Sequence, residues 1–141
     1  MRAHVRIFFL FALGVGLLGC LAFPPVNNVS EYLSTETGGF IIGSGDKSVR
    51  YALTVTAARA IPAGAVLDVS YANPLGGEPL ASTTTVADGV TKFVLVSPAI
   101  AGLRANEVYT VEVKIFADAS RQVLLGTHTQ QIRSSFTMPP D

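Results

Sequence analysis

The chain has 141 residues, with ten basic residues, ten acidic residues and a single cysteine, Cys20. This length supports one domain, and the balanced charge provides no basic stripe to meet nucleic-acid phosphates, so we expect no nucleic-acid partner. Because there is no second cysteine, the domain cannot rely on an internal disulfide bond and must be stabilised by its hydrophobic core.

An apolar segment occupies the N-terminus. Arg2 and Arg6 give a short positive start, and a charge-free apolar run of twelve residues follows, from Ile7 to Leu18. A helix that spans a membrane needs about 20 apolar residues, whereas a shorter run is typical of the helix in a secretory signal peptide. The segment therefore predicts that the protein is exported.

The apolar run ends in Leu17-Leu18-Gly19-Cys20, which resembles the lipobox of bacterial lipoproteins. The resemblance implies that residues 1–19 are a signal peptide, that cleavage falls between Gly19 and Cys20, and that Cys20 carries several acyl chains. Several chains give stable membrane anchoring, whereas one binds only marginally. The alternative is an ordinary signal peptide cleaved near Gly19 or Ala22, which would leave a free thiol in an exported protein.

The same resemblance implies a location. Leu21, rather than an aspartate, follows Cys20. In Gram-negative lipoproteins this implies transfer to the outer membrane, with the domain facing the periplasm or the cell surface. We therefore expect a lipid-anchored protein of the bacterial cell envelope that contacts the membrane through Cys20.

The residues after the cysteine change in character. Pro24-Pro25 favours an extended segment, and asparagine, serine and threonine are frequent up to Gly38. We interpret residues 20–38 as the lipidated cysteine and a flexible tether, with Tyr32 and Leu33 able to dock onto the domain. Fully extended, the tether could hold the domain up to about 60 Å from the membrane.

Residues 39–137 have the pattern of a β domain, and residues 138–141 form a short tail that we expect to fray. Apolar and polar residues alternate from Val49 to Ala57, which is typical of strands with one buried face. Leu80 to Val86 is rich in threonine and predicts an edge strand, whereas Lys92 to Ser97 is apolar on both faces and predicts a more central one. Further strands are expected from Leu67 to Tyr71 and from Gln122 to Phe136, the latter bulged at Gly126. The pattern predicts one antiparallel β-sandwich of seven or eight strands, with no helix after the signal helix.

The segment from Gly102 to Val113 resembles the approach to the sixth strand of fibronectin type III domains. Leu103 precedes Tyr109 by six residues, and an alternating apolar strand begins at Tyr109. The resemblance implies that the Tyr109 hydroxyl bonds to upstream backbone and fixes the corner between two sheets, and that Leu103 fills the core. It favours a fibronectin-like or immunoglobulin-like sandwich. A transthyretin-like sandwich or another β topology remains the alternative.

The sequence contains few groups suited to chemistry. His128 is the one histidine after the signal peptide, and nucleophilic catalysis requires a nucleophile beside a base. We expect His128 to be a surface or edge side chain. Aspartates are scattered over the expected turns rather than clustered as metal ligands. We therefore expect no enzymatic activity, no metal ion and no cofactor.

Two functions remain. The first is a structural or adaptor module that docks another envelope protein, with the edge strand at Ser82-Thr83-Thr84-Thr85 as the candidate surface. The alternative is a module that binds a glycan or a small molecule, for which Phe116 is the best candidate among exposed aromatic residues.

Overall fold

The computed structural model describes residues 25–140. Within this range the chain forms seven β-strands and no helix, as the sequence predicts. The strands are β1 Leu33–Ile42, β2 Val49–Ala57, β3 Val66–Tyr71, β4 Leu80–Thr85, β5 Lys92–Val96, β6 Val108–Phe116 and β7 Leu124–Arg133.

The strands form two antiparallel sheets. One sheet has the order β1-β2-β5 and the other has the order β4-β3-β6-β7. Buried residues from both sheets form one continuous hydrophobic core. The prediction of an all-β fold with two antiparallel layers is therefore confirmed.

The inner faces of the sheets follow the alternation in the sequence. In β6, Tyr109, Val111, Val113 and Ile115 are buried, while the residues between them face outward. The same alternation buries every second residue of β2, from Val49 to Val55. Each large apolar side chain removed from water in this way contributes about 1.5–3 kcal/mol, so these two strands supply much of the stability of the core.

Aromatic rings occupy the centre of the sandwich. Tyr51 and Tyr71 are fully buried, and their rings stack with centroids 5.4 Å apart. The Phe40 ring also packs against Tyr51, with centroids 4.9 Å apart. The buried hydroxyl of Tyr51 donates a hydrogen bond to the carbonyl oxygen of Ala72 at 2.6 Å, and burial raises the pKa of Tyr51. The chain has no tryptophan, and these tyrosines fill the volume between the sheets.

The prediction that the fifth strand is central is wrong. β5 pairs only with β2 and forms an edge of the smaller sheet. Phe93 and Leu95 point into the core, while Val94 is 64% exposed on the outer face. The apolar character of both faces therefore reflects an uncovered outer surface rather than burial on two sides.

The tether is shorter than predicted. β1 begins at Leu33, which is fully buried, and it continues through Gly38 to Ile42. The domain therefore includes residues that the sequence assigns to the tether. Four polar side chains of this segment, those of Asn27, Asn28, Ser30 and Thr35, form hydrogen bonds within the domain.

Two further differences concern the C-terminal part of the chain. β7 ends at Arg133, short of Phe136, and Leu125 is the extra residue of a bulge beside Gly126. The C-terminal tail, which we expected to fray, is held by hydrogen bonds at Met138 and Pro139. The Met138 amide donates to the Leu103 carbonyl at 2.8 Å, and the Gly102 amide donates to the Pro139 carbonyl at 3.0 Å.

Candidate functional site

The expected lipid-attachment site lies outside the described residues. Gly19 and Cys20 precede Pro25, where the description begins. The cleavage site and the lipidated cysteine therefore stay predictions.

Residues 25–30 form a strap that closes one side of the sandwich, between the edge strands β1 and β7. The Asn28 amide donates to Gln130 Oε1 at 2.8 Å, and Gln130 Nε2 donates to the Val26 carbonyl at 2.9 Å. Asn28 Nδ2 bonds to the Thr129 carbonyl at 2.6 Å, and the Thr35 amide bonds to the Asn28 carbonyl at 2.9 Å. The strap thus satisfies backbone groups on both edges, which would otherwise be open to pairing with another chain.

His128 lies under the strap on the edge strand β7, so it is an edge residue as expected, but its side chain is buried and not on the surface. Its ring is 1% exposed and contacts two hydroxyl groups. Nε2 lies 2.7 Å from Thr35 Oγ1, and Nδ1 lies 2.8 Å from Ser30 Oγ. Burial lowers the pKa of His128. One ring nitrogen holds the strap through Ser30 and the other holds β1 through Thr35, so the geometry favours a structural role over general-base catalysis.

We expect this burial to make stability depend on pH. The folded pKa of His128 lies below its unfolded value of about 6.5, so the unfolded chain binds a proton that the folded domain excludes. The stabilising contribution is complete above the unfolded pKa and decreases as pH falls below it. Urea midpoints measured between about pH 7.5 and 5.5 should fall for the wild type and vary less for His128→Gln. An equal change of urea midpoint with pH in the wild type and in His128→Gln would contradict the role of His128 in this pH dependence.

The corner before β6 has the geometry that the resemblance implies. Leu103 is fully buried, and the Tyr109 hydroxyl accepts a hydrogen bond from the Arg104 amide at 2.9 Å. The same hydroxyl donates to Glu107 Oε2 at 2.9 Å, and desolvation raises the pKa of Tyr109. Asn106 adopts a positive φ of 66°, a conformation that asparagine tolerates better than most residues. These contacts hold the turn that leads from one sheet to the other.

We expect Tyr109→Phe to lower the free energy of unfolding by about 0.5–1.5 kcal/mol, because the Arg104 amide loses its acceptor. Tyr32→Phe is the matched control, since the Tyr32 ring packs under the Arg59 guanidinium and this contact does not need the hydroxyl. Urea denaturation gives the free energy of unfolding of both variants. A Tyr109→Phe midpoint equal to that of the wild type would remove the argument for the corner.

Phe116 lines a cleft of about 480 Å³ on the outer face of the four-stranded sheet. The ring is partly buried rather than fully exposed. Arg121 extends over the sheet from the β6–β7 turn and donates two hydrogen bonds to the Asp68 carboxylate, at 2.6 and 3.0 Å. Thr83 Oγ1 also donates to Asp68 at 2.9 Å, and the bond from Arg121 lowers the pKa of Asp68. We name this the outer-face cleft, which Lys114 also lines.

The side of the sandwich opposite the strap has two open edges. β4 is the outer strand of the larger sheet and β5 the outer strand of the smaller one. The prediction that the threonine-rich strand is an edge is confirmed. β4 pairs with β3 in regular register from Leu80 to Thr85 and has no charge, proline or bulge. Charged residues, prolines and bulges are the features by which edge strands usually avoid pairing with another chain, so β4 lacks this protection.

Sequence reasoning missed the strap and the polar groups that hold it. Gln130 is 2% exposed, and it follows His128 at the inward positions of β7, before Ile132. The sequence did contain one sign of the strap, which is that two polar residues occupy inward positions of an alternating strand. Buried polar groups require hydrogen-bond partners, so another segment had to lie close to them.

The described part of the chain has neither a cluster of metal-ligating side chains nor a helix that could span a membrane. Residues 25–140 contain no group of three or more potential metal ligands. No helix in the same range is long and apolar enough to span a membrane. In comparisons with known proteins, no family model, curated protein or solved structure matches this chain.

Proposed function

We propose that this chain is a bacterial envelope lipoprotein, anchored through Cys20, whose sandwich acts as an adaptor that docks another envelope protein. The single observation that carries the docking role is the asymmetry of the sandwich edges. The strap covers β1 and β7, whereas β4 is left as a regular, uncharged edge.

We propose that the sandwich is of the fibronectin type III kind. The strand orders β1-β2-β5 and β4-β3-β6-β7 agree with this arrangement. The bond from the Arg104 amide to the Tyr109 hydroxyl supports it as well. Both features describe the architecture of the domain, and neither identifies its partner.

The docking mode follows from the backbone of β4. An edge strand presents unpaired amide and carbonyl groups, and an extended segment of a partner can add to the sheet through them. Ala81, Thr83 and Thr85 project from the exposed face of β4. A partner strand would bond to the backbone and place alternate side chains beside these small residues.

In-cell crosslinking followed by purification from detergent-solubilised envelope tests this proposal. The wild type is compared with Cys20→Ala and with the double variant Ala81→Lys/Thr85→Lys, because lysine on an edge opposes strand addition. We expect one dominant partner with the wild type and its loss in both variants. Gln131→Lys, an exposed substitution on the opposite edge strand β7, should keep the partner. A partner retained in full by the β4 variant would contradict docking at this edge.

A second candidate function is supported by the outer-face cleft. A partly buried aromatic ring beside planar charged groups is a suitable surface for a sugar ring, and Phe116, Asp68 and Arg121 provide this combination. A titration with N-acetylglucosamine oligosaccharide, followed by NMR chemical shifts, should then perturb β3 and β6 in the wild type and not in Phe116→Ala. Absence of perturbation in the wild type would remove this candidate.

A further inference from the structure

The strap fixes the direction in which the chain leaves the domain. Residues 25–28 run antiparallel to both β1 and β7. Val29 pairs with Ser34, Asn27 Nδ2 bonds to the Glu36 carbonyl at 2.7 Å, and Pro25 lines a small cleft with Gly38. Followed backwards, the chain therefore runs toward the end of the sandwich at which β1 terminates. We call this the proximal end, formed by loops 43–48, 72–79 and 97–107 and by residues 134–140.

The length of chain before Pro25 limits how far the proximal end can lie from the anchor. Cys20 precedes Pro25 by five residues, which span at most about 18 Å. Ile42 lies four residues beyond Gly38, about 13 Å along β1. A chain that continues in the direction of the strap therefore brings Cys20 at most about 5 Å past the end of β1, which places the anchor beside the proximal loops.

The distal end, formed by loops 58–65, 86–91 and 117–123, is much less accessible to the anchor. Leu33 lies five residues before Gly38, about 17 Å in the opposite direction. A chain that reversed at Pro25 would use nearly all of its length to reach the start of β1, and none would remain to pass the distal loops. The length of chain between an anchor at Cys20 and Pro25 therefore favours the proximal end as the end that meets the membrane.

The surface of the proximal end is compatible with a lipid headgroup layer. Ile42 is 64% exposed and Leu75 is 58% exposed. Lys47 and Arg104 are exposed at the same end and can approach lipid phosphates. Asp46, Glu78 and Glu107 lie there as well, so the contact depends on apolar side chains and proximity more than on net charge.

We propose that the proximal end of the sandwich rests on the bilayer in which Cys20 is anchored, with the distal end facing away. This rests on the proposed anchor at Cys20. The adaptor edge β4 then stands roughly perpendicular to the membrane, with Leu80 near the lipid and Thr85 away from it, because β4 runs from the proximal to the distal end.

Fluorescence quenching on the lipidated protein tests the orientation. Cys20 is the only cysteine and its thiol is consumed by lipid, so a cysteine introduced elsewhere is the sole site for a thiol-reactive fluorophore. The labelled variants are Ile42→Cys and Leu75→Cys at the proximal end, with Val90→Cys and Val123→Cys as controls of similar exposure at the distal end. Each is reconstituted in vesicles of phosphatidylethanolamine and phosphatidylglycerol that contain a nitroxide-headgroup lipid.

We expect loss of most of the fluorescence at positions 42 and 75 and little loss at positions 90 and 123. Insertion of a Gly-Ser segment after Ala22 should reduce the quenching at 42 and 75. Equal quenching at all four positions, or stronger quenching at 90 and 123, would overturn the orientation while leaving the anchor intact. Equal flotation of wild type and Cys20→Ala with the vesicles would overturn the anchor itself and the orientation with it.

Discussion

Leu103→Ala is expected to lower the free energy of unfolding by about 2–5 kcal/mol, the range for a buried leucine whose site cannot collapse completely. Leu103 is fully buried in the loop before β6, although it belongs to no strand. Its carbonyl accepts the Met138 amide at 2.8 Å, and the amide of the next residue, Arg104, donates to the Tyr109 hydroxyl at 2.9 Å, so the backbone around Leu103 is restrained at two points. This restraint limits relaxation into the cavity that the substitution creates.

Leu124→Ala is the matched control, because Leu124 is half exposed at the start of β7. Its effect should stay within about 0.5 kcal/mol. Urea denaturation of both variants under identical conditions gives the comparison. A loss below about 1 kcal/mol for Leu103→Ala would show that Leu103 does not fill the core in the way that the resemblance implies.

The second large effect concerns the strap. We expect Gln130→Leu to lower the free energy of unfolding by about 1–3 kcal/mol, because two part-buried hydrogen bonds to the strap are lost and each contributes about 0.5–1.5 kcal/mol. The Asn28 amide would lose its acceptor and the Val26 carbonyl its donor. Hydrogen exchange at the amides of Asn28 and Thr35 should accelerate more than exchange in β6.

The neighbouring glutamine provides the control. Gln131 is exposed, so Gln131→Leu should change stability by about 0.5 kcal/mol or less. If both leucine variants were equally stable, Gln130 would not be the residue that holds the strap. If Gln130→Leu lost stability without faster exchange at Asn28, the loss would come from the core of β7 instead.

The parts of the fold that the sequence predicts are those with a strict alternation or a specific spacing. β2 and β6 alternate without interruption, so their inward residues could be assigned from periodicity alone. The bond from the Tyr109 hydroxyl to upstream backbone was expected only from the resemblance to fibronectin type III domains, and the structure has such a bond at the Arg104 amide. The threonine content of β4 identified an edge, since such residues suit a half-exposed strand.

The parts that could not be predicted depend on tertiary partners. β1 contains Gly38-Gly39 and several hydroxyl residues, a composition that also describes a linker, and only its pairing with β2 makes it a strand. β5 is apolar on both faces, a pattern that does not distinguish a central strand from an uncovered edge.

The burial of His128 and Gln130 likewise depends on the strap, whose own residues have no strong strand pattern. Their partners, such as Thr35 and Asn28, are about a hundred residues away in the sequence. Long-range hydrogen bonds of this kind leave no local periodicity. The position of Pro25, and with it the reach of the proposed anchor, follows only from the structure.

We propose that Cys20 is the lipidated first residue of the mature protein. The most direct test is mass spectrometry of the N-terminal peptide from protein purified out of the membrane fraction. We expect a peptide that begins at Cys20 and carries the added mass of several acyl chains. A peptide that begins elsewhere, or one that begins at Cys20 with an unmodified thiol, would contradict it.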